Sequence, residues 1–458
     1  MASSQANTPP AHDRKPVNRR AVIIAAVWLA ALSAYVIAGL PTASFHGDEA
    51  MQVHTSRDYV TAFIERAPER LLTSPPYYID SDAHLRILNG TINRLGIGLS
   101  WHLAGFSVDD LPPPPGWDWG MSYDRNVETN HRPPDSLLYA ARLPSTLLLC
   151  VSIAVLFGIG YVVAGPVVAY SASGLYALHP TILLNGRRAM QEGSMLCFGL
   201  LTILMAAIIS ERRSRGERVS PIYWALLAAM GALALASKHN AAVFAAAALV
   251  WITAAELANR RAWRTLLVPL GISGALIVLG FVALSPALWN DPLARLRDLV
   301  NVRAELLNIQ VVADPNAPTP LSQRAADLLL QPFIAPAVHN EVASWTESAS
   351  FAAEVASSRA TWLSGVHYGW ALGLPLTALM LLGIAITARQ FRRPAYTGLL
   401  VWLVFTTGLL MTNPLPWQRY TLPLLPLAMV FTGIGIRAVG TQLAGRLPAP
   451  SERNDAAS

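Results

Sequence analysis

The chain has 458 residues, of which 53% are hydrophobic and only 14% charged, against roughly one quarter charged in a soluble globular protein. Apolar runs of near membrane-spanning length recur along it, so it reads as an all-α polytopic membrane protein. The net charge of +6 does not indicate nucleic acid, because the basic residues sit between apolar runs, where the positive-inside bias places them.

In chain order, residues 1–20 are polar and read as a disordered cytoplasmic tail. The apolar run at 21–40 is longer than a signal-peptide core and lacks a convincing cleavage site, so it is expected to remain as the first span. A polar segment follows at 42–136. Within it, the alternation from Glu49 to Arg66 predicts a surface helix lying along the interface. Prolines 112–115 and "GWDWGMSYDRN" predict a rigid loop anchored by Trp at headgroup depth. Asn89-Gly90-Thr91 fits a glycosylation sequon, a pattern frequent by chance.

Further spans are expected at 143–163, 166–178, 194–210, 223–237, 241–255 and 266–284. A second polar segment, 285–367, separates these from spans at 370–387, 398–411 and 420–436, and 441–458 forms a second cytoplasmic tail. About ten transmembrane helices place both termini on one side. The Arg-rich loops at 211–218, 259–264 and 389–393 then fall in the cytoplasm. Both long segments, with their interfacial helices, fall outside the plasma membrane. Cys150 and Cys197 lie in apolar runs, so neither a disulfide framework nor a thiolate metal site is implied.

Polar residues at span ends collect on the outer face. Asp48 and Glu49 follow span 1, Arg142 lies at the start of span 2, and Arg187, Arg188 and Glu192 precede span 4. Lys238 and His239 separate spans 5 and 6, Trp289 and Asp291 follow span 7, and Arg419 precedes span 10. Each has an ordinary structural explanation. Acids favour a helix start, Arg188 and Glu192 have i,i+4 spacing, a lone lysine at a span end snorkels, and Trp289 suits the aromatic belt. His46, His54, His131 and His239 lack metal-ligand spacing, so no metal or other cofactor is indicated.

Together, however, the residues form an acidic pair among several cations at a lipid–water boundary. Cations there suit a lipid-linked phosphate, and a carboxylate suits general-base work on a hydroxyl. A secondary transporter or lipid flippase is the alternative, and a non-catalytic scaffold a third. Transporters carry internal repeats and midplane polar groups, and the sequence displays neither.

The order of several short motifs resembles the GT-C superfamily of membrane glycosyltransferases, above all protein O-mannosyltransferases and aminoarabinose transferases. The matching pieces are "GDEA" at 47–50, "HRPP" at 131–134, "ARLPSTL" at 141–147 and "GRRAMQEGSML" at 186–196. They continue with "ASKHNAAVF" at 236–244, "SPALWNDP" at 285–292 and "PWQRYTLPLLP" at 416–426, so the resemblance covers roughly 20–440. The Pro-Pro element departs from the family's Pro-Pro-Leu-Tyr, reading "RPPDSLLY".

The resemblance implies a glycosyltransferase domain over 21–440. It would move a sugar from a polyprenyl-phosphate donor to an extracytoplasmic protein, lipid or glycan acceptor, inverting the anomeric carbon. Asp48 would be the base and Glu49 its partner; Arg187, Arg188, Lys238 and Arg419 would hold the lipid phosphate. Arg142, Glu192, His131, Trp289 and Asp291 would support the site.

Overall fold

The structure is a computed structural model that describes residues 18–444, apart from 261, 262, 343, 344 and 346. Most of the two tails expected at 1–20 and 441–458 lies outside the described residues. Helix α1 (Arg19–Ala38) is capped by Asn18, whose side chain accepts from the Arg20 N–H. Its Val22, Ile23, Ile24 and Val27 are bare, as expected for an apolar helix facing lipid.

The first polar segment carries α2 (Gly47–Thr55), α3 (Asp82–Leu88), α4 (Thr91–Leu103) and α5 (Tyr123–Glu128). The bundle follows with α6 (Asp135–Ala164), α7 (Pro166–Ala177), α8 (Pro180–Arg187), α9 (Glu192–Ser214), α10 (Pro221–Ser237), α11 (Ala242–Ala258) and α12 (Leu267–Ala283). The second polar segment supplies α13 (Pro292–Ala313), α14 (Leu321–Leu330) and α15 (Ala349–Ala360); α16 (Gly369–Arg389), α17 (Pro394–Thr412) and α18 (Leu425–Ala444) complete the bundle.

Eight helices among the described residues are long and apolar enough to cross a bilayer. In addition, α7 and α8 pass that test together as a pair bent by 63°, and α10 is a shorter apolar helix. Taken in order, these match the apolar runs read from the sequence. The bend has a local cause, since Pro180 brings no N–H and starts a new helix after His179 leaves helical geometry. Gly165, at φ 84°, makes the tight reversal between α6 and α7.

The core forms where α6 packs on α7 and α9, α9 on α10 and α11, α11 on α17, and α18 on α7 and α16. Its centre is lined by buried Leu200, Ile203, Phe244, Trp251, Trp402 and Phe431. Pro144 sits inside α6 and cannot donate to the Ala140 carbonyl. The Ser100 hydroxyl donates to that carbonyl instead, at 2.6 Å, tying α4 to α6. A proline that weakens one helix thus fastens the extramembrane segment to the bundle.

Two expectations for the first polar segment are corrected. The helix predicted from Glu49 to Arg66 is α2 alone, nine residues long, followed by a π-turn at Val60–Ile64. It is not a surface helix, because Glu49, Gln52, Val53, His54 and Thr55 are all buried and its polar face is paired inside the protein. Trp117 is likewise no headgroup anchor. It is fully buried in an aromatic cluster with Phe45, Tyr123 and Trp345 that joins the two polar segments. The Asn89 side chain is also internal, bonded to Gln52, Gln191 and the Leu85 carbonyl, so the sequon does not present a free amide.

Candidate active site

The site grows from the start of α2. His46 is the N-cap, and its Nδ1 accepts from the Asp48 N–H at 3.1 Å while Glu49 reaches back to the His46 N–H. This capping box satisfies donors that the helix cannot pair internally. It also fixes the histidine tautomer: with Nδ1 accepting, the ring proton lies on Nε2, which donates to Glu341 Oε2 at 2.8 Å.

Glu49 is fully buried and has no free lone pair for chemistry. Arg142 donates Nε to its Oε1 at 2.7 Å and Nη2 to its Oε2 at 2.8 Å. The Ala189 N–H donates to Oε1 at 2.8 Å, and the His46 N–H to Oε2 at 3.1 Å. Arg142 also donates Nη1 to the Ala43 carbonyl at 2.8 Å. This bidentate pair locks together the exit of α1, the start of α2, α6 and the start of the α9 segment.

Asp48 is placed differently. Its side chain is 28% exposed, and Oδ2 is in very close contact with Arg419 Nη1. Oδ1 has no hydrogen-bond partner among the described residues. Burial works against the charge, but Arg419, and after it His46, outweigh burial and hold the carboxyl below its ordinary range. The Glu341 carboxyl is held low in the same way, burial being overcome by Arg419 and His46.

Arg419 lies beside two stacked aromatic rings, 5.0 Å from the Trp417 centroid and 5.9 Å from that of Tyr420. Tyr420 links this group to a second cluster. Its hydroxyl accepts from Arg303 Nη2 at 2.8 Å, and Lys238 Nζ sits 5.9 Å from its ring centroid. Lys238 Nζ donates to Glu192 Oε1 at 2.5 Å. Three cations, Arg419, Lys238 and Arg303, therefore surround one tyrosine beside one accessible carboxylate.

The other expected residues are placed elsewhere. Arg187 donates to the carbonyls of Val36, Leu363 and Tyr35, and Arg188 to Ser44 and the His339 carbonyl. Both are buried, so their donors hold chain segments together where the sequence suggested a phosphate contact. The Arg188–Glu192 pair is corrected too: Arg188 caps the end of α8, Glu192 opens α9, and Glu192 pairs with Lys238. His131 bonds the Gly116 carbonyl, Asp291 caps α13 through the Ala294 N–H, and Trp289 donates to the Val282 carbonyl. None of these three touches Asp48. Glu341, Arg303, Tyr420 and the role of His46 were missed. Tyr420 sits inside a quoted motif and His46 immediately before one, whereas Glu341 and Arg303 carried no signal beyond their location in the second polar segment.

Residues 135–289 match the family model described as dolichyl-phosphate-mannose-protein mannosyltransferase. The archaeal oligosaccharyltransferase AglB from Archaeoglobus fulgidus, solved with an inhibitory peptide and a dolichol-phosphate, superposes on 95% of this chain with a TM-score of 0.51 and 12% identity. ArnT from Cupriavidus metallidurans, solved bound to undecaprenyl phosphate, superposes on 93% with a TM-score of 0.51 and 12% identity. The match covers 53% of the AglB chain and 63% of the ArnT chain. At that identity the likeness is one of fold. No curated protein sequence matches the chain.

Proposed function

Starting from a multi-pass membrane chain with the GT-C glycosyltransferase fold, we propose that it transfers a sugar from a polyprenyl-phosphate donor to a hydroxyl-bearing acceptor outside the cytoplasm. The observation that carries this reading is the part-exposed carboxylate of Asp48, set against Arg419 with Lys238 and Arg303 around Tyr420. The ligands named for the two similar structures, dolichol-phosphate and undecaprenyl phosphate, and the mannosyltransferase match over 135–289 support it.

In this reading Asp48 takes the proton of the acceptor hydroxyl as that oxygen bonds to the anomeric carbon. The bond from that carbon to the phosphate oxygen breaks, its electron pair leaves with the lipid phosphate, and the configuration inverts. The phosphate gains one negative charge, which Arg419, Lys238 and Arg303 stabilise. Arg419 has a second role. While it holds Asp48 it keeps the carboxylate a weak base, and turning toward the donor phosphate releases Asp48 to become a stronger one.

Glu49 supports the reading as a positioning residue, since its pair with Arg142 fixes the first turn of α2 on which Asp48 rides. Arg187 and Arg188 act in the same way through the chain segments they bond. The arrangement of the Arg-rich loops supports cytoplasmic termini and a site on the outer face, and the proposed location is the plasma membrane. The test is to supply purified protein with a polyprenyl-phosphate hexose or, separately, a nucleotide hexose, and a mixture of acceptor peptides and glycolipids. Release of polyprenyl phosphate is expected from the first donor and no transfer from the second; transfer from the nucleotide sugar alone refutes the reading.

A further inference from the structure

A small, partly open polar pocket is lined by His339, which bonds Ser44, and does not include Asp48 among its lining residues. Arg187, Arg359, His339 and His367 line it, with Ser358 and Ser364. No acidic residue lines it. The position of Arg359 in the last turn of α15 is a common place for a cation. That alone does not explain why two histidines and a second arginine face the same space.

His339 supplies the decisive detail. Ser44 Oγ accepts from Arg188 Nη2 at 3.1 Å, so the Ser44 proton is directed to His339 Nδ1, 2.8 Å away. The ring proton of His339 then lies on Nε2, a donor with no acceptor among the described residues. Burial, followed by the charges of Arg188 and Arg359, pushes His339 down to about 3 and keeps the ring neutral. Arg187 thus contributes charge while its donors stay on carbonyls, Arg359 and His339 Nε2 remain to donate, and no counter-charge lines the cavity. That is the complement of a tetrahedral oxyanion.

Its depth is set by its neighbours. Arg187 bonds carbonyls near the outer end of α1, and the Tyr35 hydroxyl donates to the Trp362 carbonyl at 2.8 Å. Trp362 is 75% exposed and Trp370 63%, as expected of aromatic side chains at a membrane–water boundary. We infer that this cavity is an anion site, separate from the Asp48 site, which binds a phosphate group at headgroup depth. The inference does not depend on sugar transfer.

The test uses the full chain in phosphatidylcholine nanodiscs doped with phosphatidic acid, counting retained lipid by native mass spectrometry. The comparison protein is Arg359→Gln/His367→Gln, whose substituted side chains are both exposed, so the fold is not at stake. Wild type is expected to hold phosphatidic acid roughly tenfold or more tightly than the variant, with phosphatidylcholine held equally. Displacement of that lipid by millimolar inorganic phosphate would support a site that recognises the phosphate group from solution as well. Resistance to displacement would support delivery by the membrane. Equal retention of phosphatidic acid by the two proteins overturns the assignment, whatever either protein does with a sugar donor.

Discussion

Glu49→Gln tests whether the second member of the acidic pair is structural. Glu49 accepts four hydrogen bonds, two of them from Arg142, in a fully buried position. The amide has one acceptor oxygen instead of two, and its NH2 must face donors. It also leaves the Arg142 guanidinium buried without a counter-charge, an error that costs about 3–5 kcal/mol in other buried pairs. Unfolding entropy near 2.1 cal/mol/K per residue over 458 residues gives about 1 °C per kcal/mol, so Tm should fall by roughly 3–5 °C.

Thermal unfolding of matched detergent preparations, followed by intrinsic fluorescence, reads this directly. The double variant Glu49→Leu/Arg142→Met removes both charges and should recover part of the loss, since apolar replacement of a whole buried pair is often neutral. A Glu49→Gln protein that melts with the wild type refutes the locking role, as does a double variant whose loss equals the sum of the two single ones.

Removing one donor-side cation, by Lys238→Met or Arg303→Gln, should weaken donor binding by roughly 10–100-fold, measured by titration with a polyprenyl-phosphate sugar, because a charge-assisted contact contributes about 1.5–3 kcal/mol. Single cysteines on a cysteine-free background should be labelled from outside at Glu128 and not at Glu217, both of which are exposed; labelling at Glu217 would invert the topology. Stability should decline with acid in two stages. His339, held neutral in the fold and depressed to about 3, penalises the fold progressively as pH drops below its ordinary value near 6.5. Asp48 and Glu341, held below the usual carboxylate range, contribute stability that is present above about pH 4 and lost as pH falls through their folded values. Tm measured from pH 8 to 3 should show both limbs, and Glu341→Gln should flatten the lower one.

The bundle was legible because its helices are apolar over span length whether they are mostly bare, as α1 and α16 are, or mostly buried in protein, as α9 is. Failures began where polar residues meet partners far away in the chain. Asp48 and Arg419 are 371 residues apart, and no local pattern announces their contact. The alternation after Glu49 suggested a helix on the membrane surface, yet its polar face is bound by Arg142, Asn89 and the Pro112 carbonyl. Trp117 has the composition of a belt residue, but the cluster that buries it is completed by Trp345 from the second polar segment. Arg187 and Arg188 stood out as cations at a span end, where carbonyl partners leave no trace in the sequence. Asp48, Lys238 and Arg419, in contrast, stand in the quoted motifs, and the fold sets Lys238 and Arg419 each 5.9 Å from the Tyr420 ring, with Asp48 paired to Arg419.

The most direct measurement is single-turnover release of polyprenyl phosphate by wild type and Asp48→Asn at saturating donor, with donor binding determined on the same preparations. Asparagine keeps the size of the side chain and caps a helix start nearly as well, so the fold and the donor site should survive. If Asp48 is the base, donor affinity changes little while the rate of release falls by about 10²–10⁴-fold. Wild-type release by Asp48→Asn would contradict the account, and so would a loss of release explained wholly by lost donor binding.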